Sequence, residues 1–267
     1  MATPRQFDLF SYRGTAEVPA APTLEEPVPA PADLDDAALI ASIRSAGQSG
    51  IGALAREAVR RGLRDAVPVF EALCRRFAGF GLDHDVAEQT ASLEALTAFG
   101  AKDAVARLIG AHAIHGPGRR HAFYAAATLG SVLPPDIVAD GLRDNDPLVR
   151  AAACGCARSH AMVAALLIDL LTDLHPPVAQ AAARALGRLG RREGVAILLR
   201  QLADAPSLDV VEALLPVAGD DEWVRLGQAA ARKPSLAPIV LEMLDDADSP
   251  RAARIAAGLR RRIGLSG

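Results

Sequence analysis

The sequence predicts an all-α, right-handed solenoid of short helix pairs, each pair about thirty residues long. Three observations point there. Ala-rich segments close on glycine at a fixed interval: TAFG ends at Gly100, ATLG at Gly130 and GRLG at Gly190, with His160 and Asp220 at the same phase. Each is followed by a second apolar segment, such as Val163–Leu171 (VAALLIDLL) or Val195–Leu202 (VAILLRQL). These second segments finish on Leu-x-Asp, at Leu142–Asp144, Leu171–Asp173, Leu202–Asp204 and Leu244–Asp246. A lone helical hairpin cannot bury its apolar face, so the repeat implies neighbours stacked around one continuous core.

Along the chain, the first element is a tail. Residues 15–32 (TAEVPAAPTLEEPVPAPA) hold Pro19, Pro22, Pro27, Pro29 and Pro31 among Ala and Glu. Proline at that density breaks helices, and too little apolar surface is present to form a core. Residues 1–33 are therefore expected to be a disordered tail, 34–264 the solenoid and 265–267 a disordered end. Asp35-Asp36 precede Leu39, Ile40 and Ile43 and are placed to cap the first helix. Later helices open on Asp146-Pro147 and Ser249-Pro250, an N-cap followed by a proline whose missing N–H costs nothing at the first helical position. Leu199 is expected in the core between repeats. The last helix carries Ile255, Leu259 and Ile263 on one face and Arg251, Arg254, Arg260, Arg261 and Arg262 around the others, the polar exterior that a terminal repeat needs.

Composition agrees. Hydrophobic residues make up 51% and aromatics 4%, so the core must be built from Ala, Leu, Val and Ile, which suits closely packed helices. A formal charge of −3 gives no whole-molecule attraction to nucleic acid or anionic lipid. Cys74, Cys154 and Cys156 form neither a disulfide framework nor a zinc pattern, and buried thiols fit a reducing compartment. The first residues lack the basic and apolar regions of a secretory signal, and no apolar run reaches membrane-spanning length. A cytoplasmic protein without membrane contact is expected.

The stretch Asp146-Pro147-Leu148-Val149-Arg150-Ala151-Ala152-Ala153 resembles the D-x-x-V-R-x-A-A core of HEAT repeats. Its period is similar to that of the short HEAT-like repeats first named for phycobilin lyases. The likeness covers roughly residues 85–264 and is clearest at 142–204; it departs at Gln180, which stands where Arg150 stands one repeat earlier. The resemblance implies scaffolds, adaptors, lyases or alkylpurine DNA glycosylases, so it constrains fold far more than function.

Catalytic motifs are missing from the sequence. His112 and His115 share one helical face at most, no His-Glu pair occurs, and no Walker loop, Gly-x-Ser-x-Gly elbow or H-E-x-x-H is present. Asp220-Asp221-Glu222 beside Trp223 suits a helix start better than a base-binding pocket. No cofactor or metal is expected. Arg184, Arg188, Arg191 and Arg192 form a basic group, but Asp204, Asp220, Asp245, Asp246 and Asp248 interrupt the field, so nucleic acid is not expected as a direct ligand. Exposed second-helix positions Arg107, Asp140, Asp169 and Arg200 are mixed in sign, which suits a protein partner on the concave face.

Within the tail, Gln6-Phe7-Asp8-Leu9-Phe10 resembles the bacterial sliding-clamp-binding pentapeptide Q-L-[S/D]-L-F, with Phe7 in place of the usual Leu. That resemblance implies a Gln amide at a pocket rim and Leu and Phe in an apolar groove. The other reading has Phe7, Leu9 and Phe10 docking on the first repeat. The expected function is a non-catalytic scaffold that binds protein partners and is tethered to the clamp; the alternative is a HEAT-like enzyme, lyase or glycosylase.

Overall fold

The computed structural model describes residues 30–264 apart from Ser159 and Asp248. Gln6–Phe10 and most of the proline-rich segment lie outside the described residues. A 3-10 turn, Pro31–Asp33, leads into fifteen α-helices among the described residues. These are α1 (Asp36–Ser45), α2 (Ile51–Arg61), α3 (Val67–Arg76), α4 (Ala87–Ala98), α5 (Lys102–Gly110), α6 (Gly118–Leu129), α7 (Pro135–Leu142) and α8 (Pro147–Cys154). They continue as α9 (Ala161–Asp169), α10 (Pro176–Arg188), α11 (Val195–Asp204), α12 (Leu208–Leu214), α13 (Asp220–Arg232), α14 (Ala237–Asp246) and α15 (Pro250–Arg262).

Local chemistry sets the boundaries. Gly100, Gly130 and Gly190 all adopt left-handed backbone at φ +69°, +63° and +73°, closing α4, α6 and α10 where a side chain would be strained. Asp35 accepts from the Ala38 N–H at 2.8 Å, Asp146 from Leu148 at 2.8 Å, and Ser249 from Arg251 and Ala252. The helix that carries VRAAAC is short. It ends at Cys154, and Cys156 lies in the following turn; Gly155 between them passes so close to α6 that a Cβ there would sit 2.6 Å from that of Ala127.

The helices pack neighbour to neighbour as an α-solenoid. Even-numbered helices from α2 to α12 stack each on the next through Ala-rich faces. The odd-numbered layer is looser: α5 scarcely touches α7, and α9 scarcely touches α11. The core accordingly divides within α10. Ala182, Ala185 and Leu186 join the N-terminal cluster, Ala183 joins the C-terminal one, and Leu171 packs against both.

In α11 the residue that fills the core is Leu198, fully buried, whereas Leu199 is only partly buried. Both belong to the apolar run VAILLRQL, and one position of phase turns a helical side chain by about 100°. Stacking of α10 and α13 on α11 selects Leu198.

Arginines tie successive repeats at the helix ends. Arg76 donates to the carbonyls of Arg44 and Ala46, Arg150 pairs with Asp173 at 2.9 Å, Arg192 pairs with Glu222 at 2.8 Å, and Arg232 donates to Ala203 and Leu202. Arg61 holds the chain entry, donating to the carbonyls of Pro31, Ala32 and Leu34 and to the Asp36 carboxylate.

Glu57 accepts from both Arg60 and Arg61, and these hydrogen bonds hold its pKa down from 4.5 to about 2. A depressed folded-state pKa stabilises the native state above the unfolded value, and the contribution disappears as pH falls through the folded value. Wild type should therefore melt above Glu57→Gln at neutral pH. That advantage should shrink from about pH 4.5 downward and vanish near pH 2, as read by melting temperature against pH. A pH-independent difference would contradict this account.

Candidate functional site

The four exposed positions expected on the second helices fall one to each of α5, α7, α9 and α11, and all four are exposed. Two of them are committed to neighbours. Arg107 makes a two-pronged contact to Glu71 of α3, at 3.1 and 2.7 Å, and this holds the Glu71 carboxyl below its ordinary value. Asp140 accepts from Arg119 of α6 at 2.6 Å, and the same arginine reaches Asp144 at 2.5 Å. Asp169 and Arg200 have no ion pair among the described residues. The face therefore offers a mixture of satisfied and available charges.

The other candidates resolve into structural roles. Trp223 is 8% exposed and belongs to the C-terminal core. Beside it, Glu222 accepts from the Gly219 N–H at 2.8 Å and so caps α13, while Asp220 accepts from the Ser249 hydroxyl. His112 and His115 lie in the loop after α5, not on a shared helical face; His112 has a left-handed backbone at φ +49°. Cys74, Cys154 and Cys156 are buried, and burial pushes each thiol up to about 12. A neutral thiol in that setting is a poor nucleophile. Among the described residues, no group of three His, Cys, Asp or Glu side chains is arranged to hold a metal. No helix among them is long and apolar enough to cross a membrane.

The basic group divides by geometry. Arg191 pairs with Glu193 and Arg192 with Glu222, whereas Arg184 and Arg188, one turn apart on α10, pair with no carboxylate among the described residues. Desolvation by the surrounding protein and the Arg184 charge lower the Arg188 pKa, while Asp209 and Glu212 of α12 oppose that shift. Arg184 and Arg200 both line a cleft of about 550 Å³ between α10, α11 and the start of α12, which the sequence did not reveal. The available signal was Gln201, a polar residue one turn after Ile197 in an otherwise apolar stripe.

Residues 135–217 match the family described as HEAT repeats, the span from α7 to the 3-10 turn that follows α12. This covers the region where the D-x-x-V-R-x-A-A likeness is strongest. No curated protein matches the chain in sequence.

Proposed function

We propose that this HEAT-repeat array is a cytoplasmic, non-catalytic scaffold that binds a protein partner on its second-helix face and is tethered through its tail to the bacterial sliding clamp. The observation that carries the scaffold reading is the stacked array itself, with second helices presenting side chains of both signs on a surface that extends over several repeats. Asp169 and Arg200 are available to a partner, whereas Arg107 and Asp140 are already paired within the array. Mixed charge of this kind discriminates among protein surfaces and does not follow a phosphate backbone. Three buried thiols are consistent with the reducing cytoplasm. Affinity purification from the native host should recover a stoichiometric partner, and Asp169→Arg should lose it while far-UV circular dichroism stays unchanged. Recovery of the bare chain under gentle conditions would sink the scaffold reading.

The tether rests on Gln6, Phe7, Asp8, Leu9 and Phe10 and on the proline-rich spacer behind them. Leu9 and Phe10 would supply the buried anchors, since large apolar side chains entering a preformed groove dominate such contacts. A short segment that orders on binding loses entropy, so affinity in the micromolar range, on the order of −8 kcal/mol, is expected. A peptide of residues 1–14 should bind the clamp from the same organism, and Gln6→Ala/Leu9→Ala/Phe10→Ala should abolish the signal. Equal binding by the two peptides would reduce the motif to coincidence.

A further inference from the structure

The cleft between α10, α11 and the start of α12 lies at one of the two loose places in the odd-numbered layer, where the two core clusters meet. Its polar lining is not satisfied from within. Gln201 contributes a side-chain carbonyl, Oε1, that is buried and has no hydrogen-bond partner among the described residues. Arg184 and Arg200 have no carboxylate partner among those residues either. A buried polar atom left unpaired costs stability, on the order of 1–3 kcal/mol, so its presence in a well-packed array calls for an explanation. Leu171 and Ile197 supply apolar surface in the same cleft.

Two unpaired cations and an unpaired acceptor specify a ligand that brings an anion and a donor together. A peptide segment with an acidic side chain does so, because its carboxylate suits guanidinium groups and its backbone N–H suits an amide oxygen. The remaining acids narrow the choice. Asp173 is already neutralised by Arg150, but Asp204 stands unpaired among the described residues and would repel a polyacidic run. We propose that this cleft receives an extended segment of a partner protein in which one Asp or Glu, flanked by apolar residues, is held by Arg184 and Arg200, while the Gln201 amide, whose Oε1 is closed to solvent in the free chain, turns into the cleft and accepts from a neighbouring backbone N–H. The inference rests on the scaffold reading above and gives its partner a local chemistry. Arg188 is not part of the site, because it does not line the cleft.

The test is selection from a random peptide display library on the full chain, followed by fluorescence polarisation with the enriched peptides. They should carry a single acid beside apolar residues. Arg184→Ala/Arg200→Ala should weaken them by about tenfold or more, with further weakening in high salt, whereas Arg188→Ala should change binding by less than about twofold. Gln201→Leu separates the site from the fold: binding should weaken several-fold while the melting temperature stays level or rises, because an unpaired polar atom is replaced by an apolar one. Enriched peptides without an acid, or ones that bind the double variant as tightly as wild type, would overturn the cleft while leaving protein binding in place. Failure of any peptide to enrich would also overturn the cleft, and host affinity purification would then decide the broader reading separately.

Discussion

Gly187→Ala should destabilise the protein by about 3 kcal/mol or more, although it adds one methyl group and improves helix propensity. Gly187 is the point at which α10 meets α12. A Cβ placed there would lie 2.2 Å from the backbone carbonyl oxygen of Ala213 and 3.0 Å from Leu198. The first contact is with main chain, so no rotamer change relieves it, and the two helices must move apart. Because α10 also carries the junction between the two core clusters, that separation should weaken the coupling between the halves of the array. Urea titration would show a lowered midpoint. Gly258→Ala in α15 is the control, since nothing lies within 4 Å of its Cβ position, and it should raise stability by about 0.5–1 kcal/mol. A midpoint for Gly187→Ala close to wild type would mean that α10 and α12 are farther apart than described.

Leu198→Asp should be more damaging still, with a loss on the order of 4 kcal/mol or more and unfolding of the C-terminal repeats. Leu198 is fully buried in the C-terminal core, so an aspartate there would be desolvated without a cationic partner. Leu199→Asp, one position on, should cost markedly less, since that side chain is only partly buried and its carboxylate can reach water. Circular dichroism during thermal melting of the two variants would give the order. The reverse order would restore the phase first expected for α11 and would invalidate the described rotation of that helix.

Much of the site was illegible in the sequence because its defining relations connect different repeats. Arg107 and Asp140 could be assigned to exposed positions from helical period alone, but their partners Glu71 and Arg119 lie thirty-six and twenty-one residues away. Such pairs follow from how repeats stack. Gln201 read only as a polar residue in an apolar helix; that its carbonyl is buried without a partner depends on the packing of α10 and α12 around α11. Trp223 behaved differently. Its place behind three acids at a helix start was already evident, since capping needs only residues within one turn.

By itself the sequence determined the helical repeat, its period and its punctuation. Gly100, Gly130 and Gly190, Asp146-Pro147 and Ser249-Pro250 act through backbone angles and hydrogen bonds within a few residues, so their effect can be recognised locally. Tertiary structure decided which side of each apolar helix became core, as between Leu198 and Leu199, and where the stack opened into a cleft. Those outcomes depend on close approach between helices far apart in the chain: Gly187 against Ala213, Gly155 against Ala127. Burial depends on the neighbour that supplies it, and a single repeat does not contain that neighbour.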